Sequence, residues 1–222
     1  MRIFLRLQYD GSQYHGWQVQ PNGITVQETI EKSLSMLYRT NIEVIGCGRT
    51  DTGVHASDYY LHYDINDEIA IPYKTLIYRL NNILPADIKI IKAYKPVSQS
   101  INARFDAISR TYRYIISTEK DPFSRNYAYR YYYPLDIDKM NYAGEIMKEY
   151  IDFTSFSKTG TQVATNNCRV QDAHWEADNH FLYFYITADR FLRNMVRAVT
   201  GTMLQVGRGK LTLEGFREVI EK

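Results

Sequence analysis

Three glycines within eight residues, Gly46, Gly48 and Gly53, surround Arg49 and Asp51 in the run Gly46-Cys-Gly-Arg-Thr-Asp-Thr-Gly-Val-His55. Glycine relieves the steric limits on the backbone, so this composition predicts a tight, exposed loop of the kind that carries functional side chains. Arg49 and Asp51 are two apart, and in an extended segment they point the same way, a guanidinium and a carboxylate facing one space. An ionised carboxylate so placed can act as a nucleophile or a base. The plainer reading is a surface turn in which Asp51 caps backbone amides. Phosphate-cradle readings fail. No Gly-Lys-Ser/Thr follows, and Asp51 stands where a dinucleotide fingerprint needs its third glycine.

Asp51-Thr52-Gly53 is also the D-T-G tripeptide of aspartic proteases, in which two carboxylates share a proton and a homodimer could supply the second. Those enzymes are all-β with an apolar run up to the aspartate, whereas polar Arg49-Thr50 precede it here and the chain carries strong helical patterns. Elsewhere, Tyr112 and Tyr114 alternate onto one face of a strand. Arg190, Arg193 and Arg197 fall on one side of a helical pattern that places Leu192, Val196, Val199 and Met203 on the other, with Gly201 beside Arg197. A basic helix face is ordinarily a solvated one. His55 reads as a structural hydrogen-bonding group of the loop. Cys47 and Cys168 are too few for a thiolate zinc site and read as buried thiols.

These residues need a frame. Residues 2 to 10 alternate as a strand, and Thr25 with Glu28 forms a T-x-x-E capping box opening an amphipathic helix that ends near Thr40. Residues 42 to 47 and 58 to 65 read as strands flanking the glycine loop. Pro72 sits in the first turn of a helix running to Pro85, and 87 to 94 is again strand-like. The order is β-α-β-β-α-β, the ferredoxin-like split arrangement. The second half predicts strands at 109 to 117 and 127 to 133, a helix from Asp136 to Tyr150, a hairpin turning at Asp178 and Asn179, a closing helix over 190 to 206, and a short last helix. A final strand is expected after the closing helix, and the pattern contains none.

The chain has 222 residues, 45% hydrophobic and 23% charged, with a formal charge of +2. That length suits two halves with cores of their own, residues 1 to 104 and 105 to 222, in an α+β fold. The charge permits a nucleic-acid partner without requiring one. The N-terminus lacks the marks of a signal peptide and no apolar run reaches membrane length, so a cytoplasmic setting without a membrane is expected.

The run GRTDTGVHA resembles the GRTDAGVHA signature of the TruA family of tRNA pseudouridine synthases, with Thr52 in place of alanine. Further blocks resemble the family in order: YDGSQYHGWQVQ (9 to 20), TVQETIEKSL (25 to 34), LNNILPADI (80 to 88), ARFDAISRTYRYII (103 to 116) and FLRNMVRAVTGTMLQVGRGK (191 to 210). Departures are Asp58-Tyr59 for a usual Gly-Gln pair and Asn102 for histidine. The family's chain also continues into a final Gly-Leu-rich strand, matching the one missing above.

The resemblance implies the pseudouridine synthase fold, two ferredoxin-like halves with antiparallel sheets and an active-site cleft between them. It implies isomerisation of uridine at positions 38 to 40 of the tRNA anticodon arm, without metal or organic cofactor, by a homodimer. Asp51 matches the catalytic aspartate. Arg197 matches an arginine that would keep that carboxylate ionised and aimed. Tyr112 matches a tyrosine that would stack on the target uracil. Arg49 would prop the gap left by the flipped nucleotide, and Arg110, Arg113 and Arg193 would hold RNA. A non-catalytic RNA-binding module is the alternative, but an aspartate in its RNA groove would repel phosphate.

Overall fold

The computed structural model describes residues 1–158 and 165–222 and divides into two units, Met1–Ala107 and Ile108–Lys222. No helix among the described residues is long and apolar enough to cross a membrane.

In the first unit, strand β1 (Arg2–Tyr9), helix α1 (Val26–Tyr38), β2 (Ile45–Gly46), β3 (Ala56–Asp64), α2 (Tyr73–Ile83) and β4 (Ile88–Tyr94) follow in order. Their sheet runs β2-β3-β1-β4, antiparallel throughout. The β1 register sets Ile3, Leu5 and Leu7 opposite Tyr63, Leu61 and Tyr59. Alternation then delivers all six to one face, where Val26, Ile30 and Leu34 of α1 and Leu76 and Leu80 of α2 pack with them in one core. Each such aliphatic side chain contributes about 1.5–3 kcal/mol by leaving water.

Local chemistry sets the boundaries. Thr25 Oγ1 accepts the Glu28 amide at 3.3 Å, while the Glu28 carboxylate turns to Lys32. The helix stops at Arg39, whose φ of 55° is left-handed. Strand β2 is shorter than the 42 to 47 run predicts, for a visible reason. The Ile42 amide donates to Ser35 Oγ and the Val44 amide to the Glu31 carboxylate, so α1 takes the donors a longer ladder would use. Pro72 is the cap itself rather than the first helical residue.

The second unit contains β5 (Arg110–Ser117), β6 (Tyr129–Arg130), α3 (Ile137–Met147), β7 (Val170–Asp178), β8 (Phe181–Ala188), α4 (Met195–Gly207) and α5 (Leu213–Ile220). Its sheet runs β6-β5-β8-β7. Phe184 and Ile186 of β8, Trp175 of β7, Met140 and Met147 of α3, Val199 and Met203 of α4 and Phe216 of α5 form its core. The hairpin turns at Asn179, where φ is 51°.

Three expectations change here. Strand β6 has two residues rather than seven, because β5 ends at Ser117 and the chain beyond Tyr131 has no ladder to join. It is parallel to β5 and takes the flanking place that β4 takes beside β1, so the sheet has four strands although no strand follows α4 among the described residues. Helix α4 begins at Met195 and not at Arg190, because Asn194 is left-handed at φ 68° and a continuous helix cannot pass through it. Arg190 and Arg193 therefore lie outside the helix, and the basic stripe reduces to Arg197.

Candidate active site

The glycine loop is held from one side. Thr50 is gripped twice: its carbonyl accepts the Trp17 amide at 3.1 Å, and its hydroxyl lies 2.9 Å from the Tyr9 hydroxyl. The Tyr59 hydroxyl donates to the Gly48 carbonyl and sits 3.4 Å from the Gly48 amide. The Tyr59 and Trp17 rings meet at 4.3 Å, with Tyr9 edge-on to Tyr59 at 5.6 Å. Gly46 lies against both, since a Cβ there would fall 2.3 Å from the Tyr59 hydroxyl and 2.5 Å from the Trp17 ring. Residues 46, 48 and 50 thus meet aromatic partners, while between them Arg49 is exposed and Asp51 half-buried.

A second strap, residues 10 to 17, lies directly on the loop. Gly16 has φ 87°, and a Cβ there would lie 2.3 Å from the Thr50 carbonyl oxygen; one on Gly11 would lie 2.0 Å from that of Val54. The Gly53 amide donates to the Tyr14 carbonyl at 3.3 Å, and the Tyr14 hydroxyl donates to Asp87 at 2.7 Å. Burial, reinforced by that aspartate, holds the Tyr14 phenol well above its ordinary pKa. His55 Nδ1 lies 3.1 Å from the Gly11 amide and 2.9 Å from Asp10 Oδ1. Neutral, it accepts the amide; protonated, it donates to the carboxylate. Either way it joins the strap to the loop.

In the second unit, Tyr112 and Tyr114 stand opposite Ile186 and Phe184 and so share the helix-side face of β5. Tyr112 meets Phe191 edge-on at 5.0 Å. Burial raises the pKa of the Tyr114 phenol, and the charge of Arg197 opposes the rise, which puts Arg197 within electrostatic reach of this face. Arg197 and Gly201 are exposed one turn apart on α4, and no atom lies within 4 Å of a Cβ built on Gly201. Arg110 donates to the Asp189 carbonyl at 2.6 Å. Arg113 is on the opposite face, over the Tyr183 ring at 5.7 Å, and Arg193 is in the exposed turn before α4. The unit therefore gathers Tyr112, Tyr114 and Arg197, but not Arg113 or Arg193.

Cys168 is buried and its thiol is pushed up to about 11 by desolvation, whereas Cys47 is only half-buried because it lies on the loop. Residue type alone does not mark Tyr9, Trp17 and Tyr59 as contacts of the loop. Gly11 and Gly16 carried the available signal, since glycine spaced along an aromatic segment marks a close backbone approach.

The sequence profile of a family described as tRNA pseudouridine synthase matches residues 149–222. The chain is 52% identical to the tRNA pseudouridine synthase A of Bacteroides thetaiotaomicron, over all of this chain and 82% of that protein. It is 50% identical to the tRNA pseudouridine synthase A of Bacteroides fragilis, over all of this chain and 87% of the relative. The chain belongs to the tRNA pseudouridine synthase A family. The likeness extends to a more distant bacterium, Clostridium acetobutylicum, whose tRNA pseudouridine synthase A is 39% identical over 99% of this chain and 89% of its own length. Members of this family are isomerases acting on tRNA uridines.

Proposed function

We propose that this chain converts uridine to pseudouridine at the base of the tRNA anticodon arm, with Asp51 as the catalytic carboxylate. The observation that supports this most is the order of side chains along the glycine loop. Contacts hold residues 46, 48 and 50, and among them Arg49 is exposed and Asp51 half-buried, a guanidinium and a carboxylate two residues apart. In the reaction the N1–C1′ bond breaks, the uracil turns, a C5–C1′ bond forms, the C5 hydrogen leaves as a proton and N1 gains one. Atoms and electrons balance without oxidant, reductant or net hydrolysis. The ionised carboxylate serves as nucleophile or base during the exchange.

In this reading the halves 1 to 104 and 105 to 222 are ferredoxin-like, and Arg197 serves the substrate on which Asp51 acts. Tyr112 stacks on the uracil, and Arg49 fills the space the nucleotide leaves. Arg110, Arg113 and Arg193 take phosphates; Arg113, on the other face of β5 from Tyr112, takes one from a different stretch of RNA. The enzyme works in the cytoplasm as a homodimer.

Release of tritium from tRNA labelled at uracil C5 tests the assignment. The wild-type chain should release it, and Asp51→Asn should bind the same tRNA, unfold at the same temperature and release none. Release by Asp51→Asn above background would remove Asp51 from the chemistry.

A further inference from the structure

We infer that Tyr59, acting with Tyr9 and Trp17, is a positioning residue that sets which loop side chains face the substrate. The inference rests on Asp51 being the catalytic carboxylate. Its source is the set of contacts made to residues 46, 48 and 50. The Tyr59 hydroxyl bonds the backbone of Gly48, the Tyr9 hydroxyl meets the Thr50 side chain, and the Trp17 amide holds the Thr50 carbonyl. Gly46 has no Cβ, which lets the Tyr59 hydroxyl and the Trp17 ring lie directly against the backbone.

Residues 47 and 48 form a bend, so no regular alternation carries the direction of β2 on to Asp51. The bonds to Gly48 and Thr50 hold the chain on both sides of Arg49 and immediately before Asp51, and so set where those two side chains lie. Without them the loop can turn at the bend and carry Asp51 from its place. A strand holds its direction through its ladder, but that of β2 ends with the Cys47 amide donating to the Tyr60 carbonyl at 2.8 Å, four residues before Asp51. Beyond that point the hydroxyls of Tyr9 and Tyr59, carried on β1 and β3, perform the function of the missing ladder. The rings are buried in the first unit's core while the hydroxyls reach the loop, so each joins a rigid element to the reacting group.

Tyr59→Phe keeps the ring and removes the bond to Gly48. Because small misplacements of a reacting group cost up to about 100-fold in rate, single-turnover tritium release at saturating tRNA should fall about 10- to 100-fold. The tRNA Kd should stay within about twofold, since the lost interaction serves the chemical step and not binding. Tyr9→Phe, which frees the Thr50 hydroxyl, should show the same pattern more weakly. The control is Tyr63→Phe, which breaks the 3.1 Å Tyr38–Tyr63 hydroxyl pair buried in the same core but away from the loop. It should lower Tm and leave the single-turnover rate unchanged.

A wild-type rate in Tyr59→Phe, or equal losses of rate in Tyr59→Phe and Tyr63→Phe that track Tm, would overturn the positioning role. If Tyr59→Phe fails to fold, Tyr9→Phe decides by the same two readings. Asp51→Asn separates the two ideas: activity there removes the catalytic assignment and this inference together, while an inactive Asp51→Asn beside a fully active Tyr59→Phe removes this one alone.

Discussion

The two units hold their candidate residues by different means. Asp51 lies on a loop five residues past the end of a two-residue strand, and its place depends on contacts made by Tyr9, Tyr59 and the strap of residues 10 to 17. Tyr112 lies inside the eight-residue strand β5, with a continuous antiparallel ladder to β8. In the first case a close approach of two backbones does the work, and glycine is required where they touch. In the second a regular ladder does it, and side chains can vary as long as alternation is kept. Backbone clasps should therefore tolerate added atoms poorly, and ladder-borne positions should respond to the chemistry of the side chain itself.

The sharpest way to break this contrast is to add one methyl group on each side. Gly16→Ala places a Cβ 2.3 Å from the Thr50 carbonyl oxygen at a backbone φ of 87°. Strain of this kind costs on the order of 1–3 kcal/mol. Displacing the loop should lower the rate of tritium release by about 100-fold. Gly201→Ala, in the α4 interior with no atom within 4 Å, should instead raise stability by about 0.5–1 kcal/mol. Urea unfolding reads both; shifts of the same sign would erase the distinction.

On the ladder side, the ring of Tyr112 should matter more than its hydroxyl. Tyr112→Leu should lose roughly 1–3 kcal/mol of base stacking, about a 5-fold to 150-fold drop in kcat/KM, and Tyr112→Phe should keep most of the activity. Equal, near-complete loss in both variants with folding intact would make the hydroxyl a participant in the chemistry.

The smallest effect belongs to the cross-strand ion pairs of the first sheet. Arg2 hydrogen-bonds the Asp64 carboxylate and holds its pKa below the ordinary value. The stabilisation is present above the unfolded-state pKa of about 4 and is lost as pH falls through the lower folded value. The pair is largely exposed on the aspartate side, so Asp64→Asn should cost less than about 1 kcal/mol at pH 7. The gap between wild type and variant should close as unfolding is repeated at successively lower pH below 4. A gap that stays constant with pH would mean that packing and not charge supplies it.

Much of this architecture follows from the order of residues alone, wherever the deciding energies are local. The Thr25 cap, the alternation of Ile3, Leu5 and Leu7, the β7–β8 hairpin and the glycine loop with Arg49 and Asp51 two apart are set by neighbours within a few positions. The elements that differ from local reading were decided by partners distant in the chain. Strand β2 is short because α1 takes its amides, and β6 because β5 ends; the late start of α4 is instead local, set by the left-handed backbone of Asn194. The aromatic grip on the Asp51 loop is the clearest case. The Tyr9 hydroxyl meets Thr50 across 41 positions of sequence. Nothing in either residue's neighbourhood encodes that meeting, which exists only because β1 and β3 pair in one register and Gly46 leaves room for the rings.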